Sequence, residues 1–437
     1  MKTKLVIFGL SGDLGKRKLM PALKQIVDAN AISDLEIIGI SRREINIDDF
    51  FAKTFGEDFA KMPKSEKLRE CTSFFQMDLS KPAEYDKLKA FLGDDDDTQI
   101  LFYLSVPPAA ATDIVDNLGF AGINRKNVKI MFEKPFGFDL SSAKEMVSRT
   151  SKFFSEEQIY RVDHFLAKEM SQNIIAMRYG NALFSRIWDN RSIESIDVIA
   201  SEKIGIEGRN IFYEQTGALR DILQGHSMQL LALTLAEIPG KLNWNDLPIL
   251  RLAALRDLEI AKPENSFRAQ YRGYREEVEN PKSSSETAAG IKLFSRNPKF
   301  TGIPFRLLTG KNLSRKTTEI RINLKREHLE QENAIVLRIQ PDEGVEMKLF
   351  AKKPGYSREF INEKMSFNFP QNAGLVDAYE QVFVDAANSR KSLFASSDEI
   401  IRQWEIVDPI RSAWDLDETP LKLYEPGTEI SRLFAKL

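Results

Sequence analysis

The sequence predicts an α/β, Rossmann-like dinucleotide-binding domain at the N-terminus, followed by an α+β C-terminal domain with a large, mainly antiparallel sheet. In the N-terminal part, apolar β-rich runs alternate with helical segments, which indicates a parallel sheet with crossover helices. In the second half, several segments alternate apolar and polar residues, as in antiparallel strands with unlike faces. We place the domains at residues 1–160 and 161–437, because 437 residues exceed one hydrophobic core.

The composition is that of a globular protein, with 42% hydrophobic and 29% charged residues. A formal net charge of -2 provides no basic field for nucleic acid or an anionic membrane, so any bound phosphate needs a local cluster of cations. The only cysteine, Cys71, excludes an internal disulfide and favours a reducing compartment. With no leader before the first strand and no bilayer-spanning segment, we expect a cytoplasmic protein.

The first predicted strand, residues 4–8, runs into the segment GLSGDLGKRKL, which has glycines at positions 9, 12 and 15. A strand, a tight turn and a helix in this order can place helix amides against a pyrophosphate. The spacing differs from G-x-G-x-x-G, and by itself it is compatible with a cofactor loop or with a plain turn.

The second predicted strand, residues 35–40, is followed by Ser41, Arg42 and Arg43. An acidic residue at this point would bind a ribose hydroxyl, whereas arginine accommodates the 2'-phosphate of NADP. The sequence therefore favours NADP over NAD as the cofactor. The alternative is that these arginines lie in a solvated turn and bind no cofactor.

Two further predicted strands, residues 99–106 and 128–132, complete the buried parallel pattern. The second leads into EKPFG, residues 133–137, where the isomer of the Lys134-Pro135 peptide is left open. Four aspartates at 94–97 lack the alternation of a calcium loop, so we predict a solvated loop and no metal site.

The segment YRVDHFLAKE, residues 160–169, concentrates polar residues suited to a site: Arg161, Asp163, His164 and Lys168. If the chain is helical from Leu166 onward, His164 and Lys168 share one helix face and can bind the same anionic group. The alternative is a helix start with a capping aspartate and solvated charges.

In the second domain, alternating strands are predicted at residues 193–203, 318–325, 334–339 and 345–351. Residues 214–237 predict a mostly buried helix that carries Asp221 and His226 among apolar residues. A histidine in such a helix is either structural or a base, and His164 and His328 are the other two in the chain. We expect His328, in the charged segment KREHLEQE, to be exposed in a turn or at a strand end.

These motifs resemble the glucose-6-phosphate dehydrogenase family. The likeness rests on residues 161–169, on the GDL-x-x-RKL turn, on EKPFG, on GIPFRLLTGKNL at 302–313 and on LRIQPDEGVEMKLFAKKPG at 337–355. It covers nearly the whole chain and implies oxidation of D-glucose 6-phosphate at C1 to 6-phosphogluconolactone, with hydride transfer to NADP. It also implies a homodimer, or a dimer of dimers, formed through the large sheet.

The resemblance implies a role for each matching residue. His226 would be the catalytic base, Asp163 would orient it, and His164 and Lys168 would bind the 6-phosphate. Contacts to the sugar are implied for Glu202, Asp221, Lys311 and Gln340, and Lys134 would lie near both the cofactor and C1. The dinucleotide site would comprise Gly9, Ser11, Gly12, Asp13, Leu14 and Arg42.

The sequence departs from the family pattern near the expected substrate. Phe165 replaces a tyrosine, Ala167 a glycine and Gly225 an asparagine, while Arg315 and Lys316 replace a Glu-Arg step. Two alternatives follow: a related dehydrogenase acting on another hexose or hexose phosphate, and an inactive NADP-binding regulatory protein.

Overall fold

The computed structural model describes residues 2–326, 332–369, 374, 376–435 and 437. Their contacts divide the chain into two compact units. The first unit comprises the described residues of Met1–Ala167, Trp244–Pro248 and Val376–Ser397, and the second comprises those of Lys168–Asn243, Ile249–Leu375 and Asp398–Leu437. His328, predicted to be exposed in a turn or at a strand end, lies outside the described residues.

The strands of the described residues are numbered in chain order. They are β1 (Lys2–Phe8), β2 (Leu35–Ser41), β3 (Thr72–Gln76), β4 (Thr98–Leu104), β5 (Val128–Phe132), β6 (Ile159–Val162), β7 (Ile193–Ser201), β8 (Ser266–Tyr271), β9 (Ala288–Leu293), β10 (Phe305–Gly310), β11 (Thr317–Leu324), β12 (Asn333–Gln340), β13 (Gly344–Lys352), β14 (Phe360–Asn368), β15 (Phe394–Ala395) and β16 (Lys422–Tyr424).

The helices belong to three types. The α-helices are Met20–Ala29, Ile47–Phe55, Ser65–Glu70, Pro82–Leu92, Pro108–Phe120, Leu140–Ser151, Glu169–Gly180, Ala182–Ile187, Asn210–Ala218, Met228–Leu235, Leu247–Asp257, Tyr274–Glu277, Ala378–Ala387, Ser397–Leu416 and Ile430–Leu433. Two π-helical segments are Gly15–Leu19 and Leu219–Ser227. Short 3₁₀ turns are Glu57–Lys61, Glu156–Gln158, Trp244–Asp246 and Pro263–Asn265.

The first unit is built on a sheet with the strand order β15-β6-β5-β4-β1-β2-β3. All neighbouring strands are parallel except β15, which pairs antiparallel with β6. Strand β4 is buried along its whole length because helices cover both faces of such a sheet. The predicted Rossmann-like fold is confirmed. The predicted strand at 99–106 is shorter at its end, where β4 stops at Leu104.

The second unit contains a sheet with the order β14-β13-β12-β11-β7-β10-β9-β8-β16. Only the β10–β7 and β16–β8 pairs are parallel among its described strands, which confirms the mainly antiparallel prediction. Strand β7 does not show the predicted unlike faces. Glu194 is exposed, but the other polar residues of β7 are buried. Two of them have partners: Arg306 pairs with Asp197, with Nε and Oδ1 2.6 Å apart, and the Asn323 amide donates to Ser195.

The two compact units differ from the division predicted at residues 160 and 161. Residues up to Ala167 and the later segment Val376–Ser397 belong to the first unit. The physical reason is sheet completion: β6 extends the parallel sheet, β15 pairs with it, and helix Ala378–Ala387 contributes Val382 and Phe383 to the same core.

Two helix predictions need correction. Residues 164–167 form a turn, and the helix begins at Glu169 with Lys168 as its N-cap, so the argument that His164 and Lys168 share a helix face does not hold. Residues 214–237 are not one helix. Gly217 has φ 59° and ψ -179°, and the chain changes there from an α-helix to the π-helical segment Leu219–Ser227.

Candidate active site

The glycine turn after β1 allows a close approach of backbone segments. Gly9 has φ 86°, and a Cβ atom there would lie 2.3 Å from the Ser105 carbonyl oxygen. The Gly12 N–H donates to the Gly9 carbonyl oxygen over 2.9 Å and closes the turn. Gly12 and Asp13 are exposed, and the helical run begins at Asp13 and continues into the π-helical segment Gly15–Leu19. A narrow turn without side-chain bulk at Gly12 fits a pyrophosphate.

Arg42 follows β2 and lies at the same end of the sheet as the glycine turn after β1. The two strands are parallel, and Phe8 at the end of β1 is paired with Ile40 near the end of β2. Its side chain is exposed, while the Gln76 amide donates to its carbonyl oxygen over 3.2 Å. The backbone is therefore held and the guanidinium faces solvent. Ser41, and not an acidic residue, ends the strand, so this position fits the 2'-phosphate of NADP.

Glu133 and Lys134 follow β5 at this same edge, since Leu104 is paired with Phe132. The Lys134-Pro135 peptide is cis. The Tyr103 hydroxyl donates to the Glu133 carboxylate, and the Tyr379 hydroxyl bonds to it as well. Burial raises the pKa of Glu133, while the phenol hydrogen bonds and the charge of Lys134 oppose this.

Asp163 and His164 follow β6, which continues the parallel sheet beside β5. Asp163 is 2% exposed, and one of its carboxylate oxygens accepts from the Phe165 N–H over 3.0 Å. The imidazole of His164 lies 6.2 Å from the Tyr379 ring at an angle of 14°, and the Phe165 ring meets it nearly edge-on at 5.1 Å. The carboxyl edge of this sheet thus assembles every predicted site residue of the first unit.

The second unit carries a cluster of charged residues at one edge of its sheet. Glu202 follows β7 and Lys311 follows the parallel neighbour β10, whose last residue, Gly310, is paired with Ser201. The Lys311 ammonium binds the Glu202 carboxylate and lies 3.4 Å from Asp221 Oδ2. Lys311 is 3% exposed, whereas the Glu202 and Asp221 side chains are 30% and 17% exposed, so a buried ammonium pairs with carboxylates that remain partly open to solvent.

His226 and Gln340 have different surroundings. His226 lies five positions after Asp221 on the same π-helical segment and is 4% exposed. Gln340 ends β12, and its amide donates to the Thr318 hydroxyl over 3.2 Å. Since β11 links β7 to β12, Gln340 lies at the same sheet edge as Glu202.

Lys168 caps the helix Glu169–Gly180, and its carbonyl oxygen accepts from the Ser171 N–H over 3.0 Å. Burial raises the pKa of the nearby Glu343 carboxyl, and the charge of Lys168 opposes this shift. Glu343 and the Tyr103–Glu133–Tyr379 group are features that the sequence analysis missed. Tyr379 lies in the segment DAYEQVF, residues 377–383, which also resembles the family, but no local pattern links it to Glu133.

The described residues contain neither a cluster suited to a metal ion nor a helix suited to a membrane. No group of three or more histidine, cysteine, aspartate or glutamate side chains in the described part of the chain could hold a metal ion. The same part of the chain contains no helix that is both long and apolar enough to cross a membrane.

Family comparisons cover most of the chain. Residues 6–173 match the model of the glucose-6-phosphate dehydrogenase NAD binding domain, and residues 175–435 match that of the glucose-6-phosphate dehydrogenase C-terminal domain. The glucose-6-phosphate 1-dehydrogenase of Dickeya dadantii is 33% identical, with 97% of this chain and 94% of that protein covered. The Borreliella burgdorferi enzyme of the same name is 34% identical, with coverages of 94% and 91%.

The fold agrees with these sequence matches. A solved structure of glucose-6-phosphate dehydrogenase in complex with glucose 6-phosphate superposes with a TM-score of 0.91 at 27% identity, over 99% of this chain and 97% of that one. The matches support the main prediction over a related dehydrogenase for another hexose or hexose phosphate and over an inactive NADP-binding regulatory protein. The chain therefore belongs to the glucose-6-phosphate dehydrogenase family, the NADP-dependent oxidoreductases that oxidise glucose 6-phosphate.

Proposed function

We propose that this protein oxidises D-glucose 6-phosphate at C1 with His226 as the catalytic base. The observation that carries the proposal is the second-unit cluster, in which Lys311 is paired with Glu202 and with Asp221 on the π-helical segment that also carries His226. A buried ammonium paired with partly exposed carboxylates offers both donors and acceptors to sugar hydroxyls.

The C1 hydroxyl loses its proton to a ring nitrogen of His226, because imidazole is a suitable base near neutral pH. Asp163 orients the imidazole and stabilises the imidazolium that forms, as a carboxylate does beside a catalytic histidine. When bound, NADP supplies the acceptor for the hydride that leaves C1. Glu202, Asp221, Lys311 and Gln340 bind the sugar hydroxyls.

The 6-phosphate is held by His164 and Lys168, whose cationic donors form strong hydrogen bonds to phosphate oxygens. The stacking of His164 on Tyr379 supports this role, because it restrains the imidazole. Lys134, beside the buried Glu133 carboxyl, contacts both the cofactor and the C1 end of the sugar.

The cofactor is held by the turn after β1 and by the end of β2. Gly9, Gly12 and the backbone of Ser11, Asp13 and Leu14 bind the pyrophosphate, and Arg42 binds the 2'-phosphate. The exposed side chain of Arg42 and the tight approach at Gly9 support this assignment.

The protein acts as a homodimer, or a dimer of dimers, in the cytoplasm. Support for assembly comes from β14, the outermost strand of the large sheet, where Phe360, Met365 and Phe367 are exposed apolar side chains. Support for a reducing compartment comes from the single cysteine. Light scattering across micromolar concentrations tests the assembly, and a monomer mass throughout would refute it.

A matrix of initial rates tests the function. Glucose 6-phosphate, glucose and fructose 6-phosphate are each combined with NADP and with NAD, and glucose 6-phosphate with NADP should have the highest kcat/KM. His226→Asn should lower kcat by about 10²- to 10⁴-fold with KM nearly unchanged, because only the base is lost. The matched variant His164→Asn should instead raise KM. Activity of His226→Asn within severalfold of wild type would contradict the assignment.

A further inference from the structure

Glu286 lies at the point where the chain enters the π-helical segment. One oxygen of its carboxyl accepts from the Leu219 N–H over 2.9 Å, and its backbone carbonyl accepts from the Ala218 N–H over 2.9 Å. Glu286 is 7% exposed. A single buried residue therefore binds two consecutive amides at the start of Leu219–Ser227, the segment that carries Asp221 and His226.

The backbone at this junction is shaped around the Glu286 carboxyl. Gly217 has φ 59°, which favours glycine. A Cβ atom at Gly217 would lie 2.4 Å from Glu286 Oε1 and 2.6 Å from its carboxyl carbon, closer than any real side chain allows. The glycine and the carboxyl thus fit each other, and together they set where the α-helix ends and the π-helical turns begin.

The next residue, Thr287, holds the backbone of Lys311, the residue whose ammonium pairs with Asp221. Its carbonyl oxygen accepts from the Lys311 N–H over 2.9 Å. The Tyr424 hydroxyl donates to the Lys311 carbonyl oxygen over 2.6 Å and lies 3.0 Å from the Thr287 hydroxyl. Glu286 and Thr287 therefore join the backbone of Lys311 to the segment that carries Asp221.

We propose that Glu286 is a positioning residue for the oxidation of glucose 6-phosphate, because it fixes the start of the π-helical segment and with it the places of Asp221 and His226. This inference rests on the proposed function of those two residues. Glu286 acts through hydrogen bonds to the backbone and does not contact substrate. A one-residue shift of the segment would rotate Asp221 away from Lys311 and displace His226 with it, since π-helical turns differ from α-helical turns in hydrogen-bond register.

Three variants test the proposal. Glu286→Ala removes the acceptor of the Leu219 N–H. It should lower kcat roughly 10- to 100-fold, because losing a buried hydrogen bond displaces Asp221 and His226, and small displacements of such groups slow the reaction. Glu286→Gln keeps an acceptor oxygen of the same shape and should stay within about fivefold of wild type. Gly217→Ala leaves Glu286 in place but displaces its carboxyl, so it should lower kcat as Glu286→Ala does.

The matched control is Asp197→Ala. Asp197 is another buried carboxylate of the second unit, 5% exposed and paired with Arg306. The control should lower the melting temperature while kcat stays within about twofold of wild type, because its bonds do not reach the segment 219–227. NADP affinity, measured by fluorescence, should be unchanged in all four variants.

Hydrogen exchange separates this proposal from the function on which it rests. Peptides covering residues 217–227 should exchange faster in Glu286→Ala than in wild type or Asp197→Ala. The proposal is overturned if exchange is unchanged, if Glu286→Gln loses as much activity as Glu286→Ala, or if kcat of Glu286→Ala equals that of the control. If the wild-type protein does not oxidise glucose 6-phosphate, the proposed function is refuted. Hydrogen exchange of residues 217–227 would still decide whether Glu286 holds the π-helical segment.

Discussion

The ammonium of Lys311 lies 3.4 Å from Asp221 Oδ2, although the two residues come from different elements, one after a strand and one within a π-helical segment. The same ammonium binds Glu202. One buried cation thus pairs with two partly exposed carboxylates, and without it two like charges would lack the opposite charge between them.

Replacing Lys311 with alanine should lower kcat/KM for glucose 6-phosphate by roughly 10- to 150-fold, the effect of losing a charged hydrogen bond of about 1.5–3 kcal/mol. Steady-state kinetics at saturating NADP measure it. Lys262→Ala, which removes an exposed lysine of the same unit, is the control and should leave the kinetics unchanged. An unaltered kcat/KM in Lys311→Ala would show that this lysine only holds the two carboxylates.

Replacing Arg42 with alanine should weaken NADP binding by about 1–3 kcal/mol while NAD binding stays nearly constant, because only NADP presents a 2'-phosphate. Titration of both cofactors by fluorescence measures the difference. The adjacent Arg43 is also exposed, so Arg43→Ala is a matched control for general loss of charge. Equal losses for NADP and NAD would mean that Arg42 contacts another part of the cofactor.

Replacing Phe165 with tyrosine should lower KM for glucose 6-phosphate by about 10-fold or more, because a hydroxyl is added beside the imidazole of His164, which we propose binds the 6-phosphate. The Phe165 ring meets that imidazole edge-on at 5.1 Å. We expect kcat to change by no more than severalfold, since the added contact is remote from C1. An unchanged or raised KM in a variant with wild-type melting temperature would show that the phosphate is bound elsewhere.

Lys129 should make stability depend on pH. Its ammonium is buried and donates to Gln99, the Ala386 carbonyl and Ser389, and burial lowers its pKa from 10.5 to about 8. Between these two pKa values the unfolded chain binds a proton that the folded chain has lost. Below pH 8 the buried ammonium lowers the free energy of unfolding by its full amount. As the pH rises from 8 toward 10.5 the folded protein loses this charge, and the free energy of unfolding increases.

Urea unfolding of wild type and Lys129→Met from pH 7 to 10 measures this effect. The free energy of unfolding of wild type relative to the variant should rise across that interval by at most about 1.4 kcal/mol per pH unit. Other titrating groups cancel in the difference because both proteins contain them. Parallel pH profiles would mean that Lys129 titrates at its ordinary pKa.

Local sequence patterns predicted much of the first unit. Val128–Phe132 has the predicted bounds, and the strands before Gly9 and Arg42 lie where apolar β-rich runs end in turn residues. These predictions succeed because a buried parallel strand needs a continuous apolar run, which is a local property. The motif around Asp163 and His164 was also visible, but its local structure was not, since a turn replaces the expected helix.

The sequence by itself determined the fold class, the family and the candidate site residues, because these depend on periodicity and on short motifs. Only the tertiary structure decided how the segment around His226 is held. At its start lie the left-handed Gly217 and the hydrogen bond from the Leu219 N–H to Glu286, which is 67 positions away. Likewise Lys129 meets Ala386 only because two distant segments share one core. Hydrogen bonds between residues far apart in the chain leave no periodic trace, so packing alone selects them.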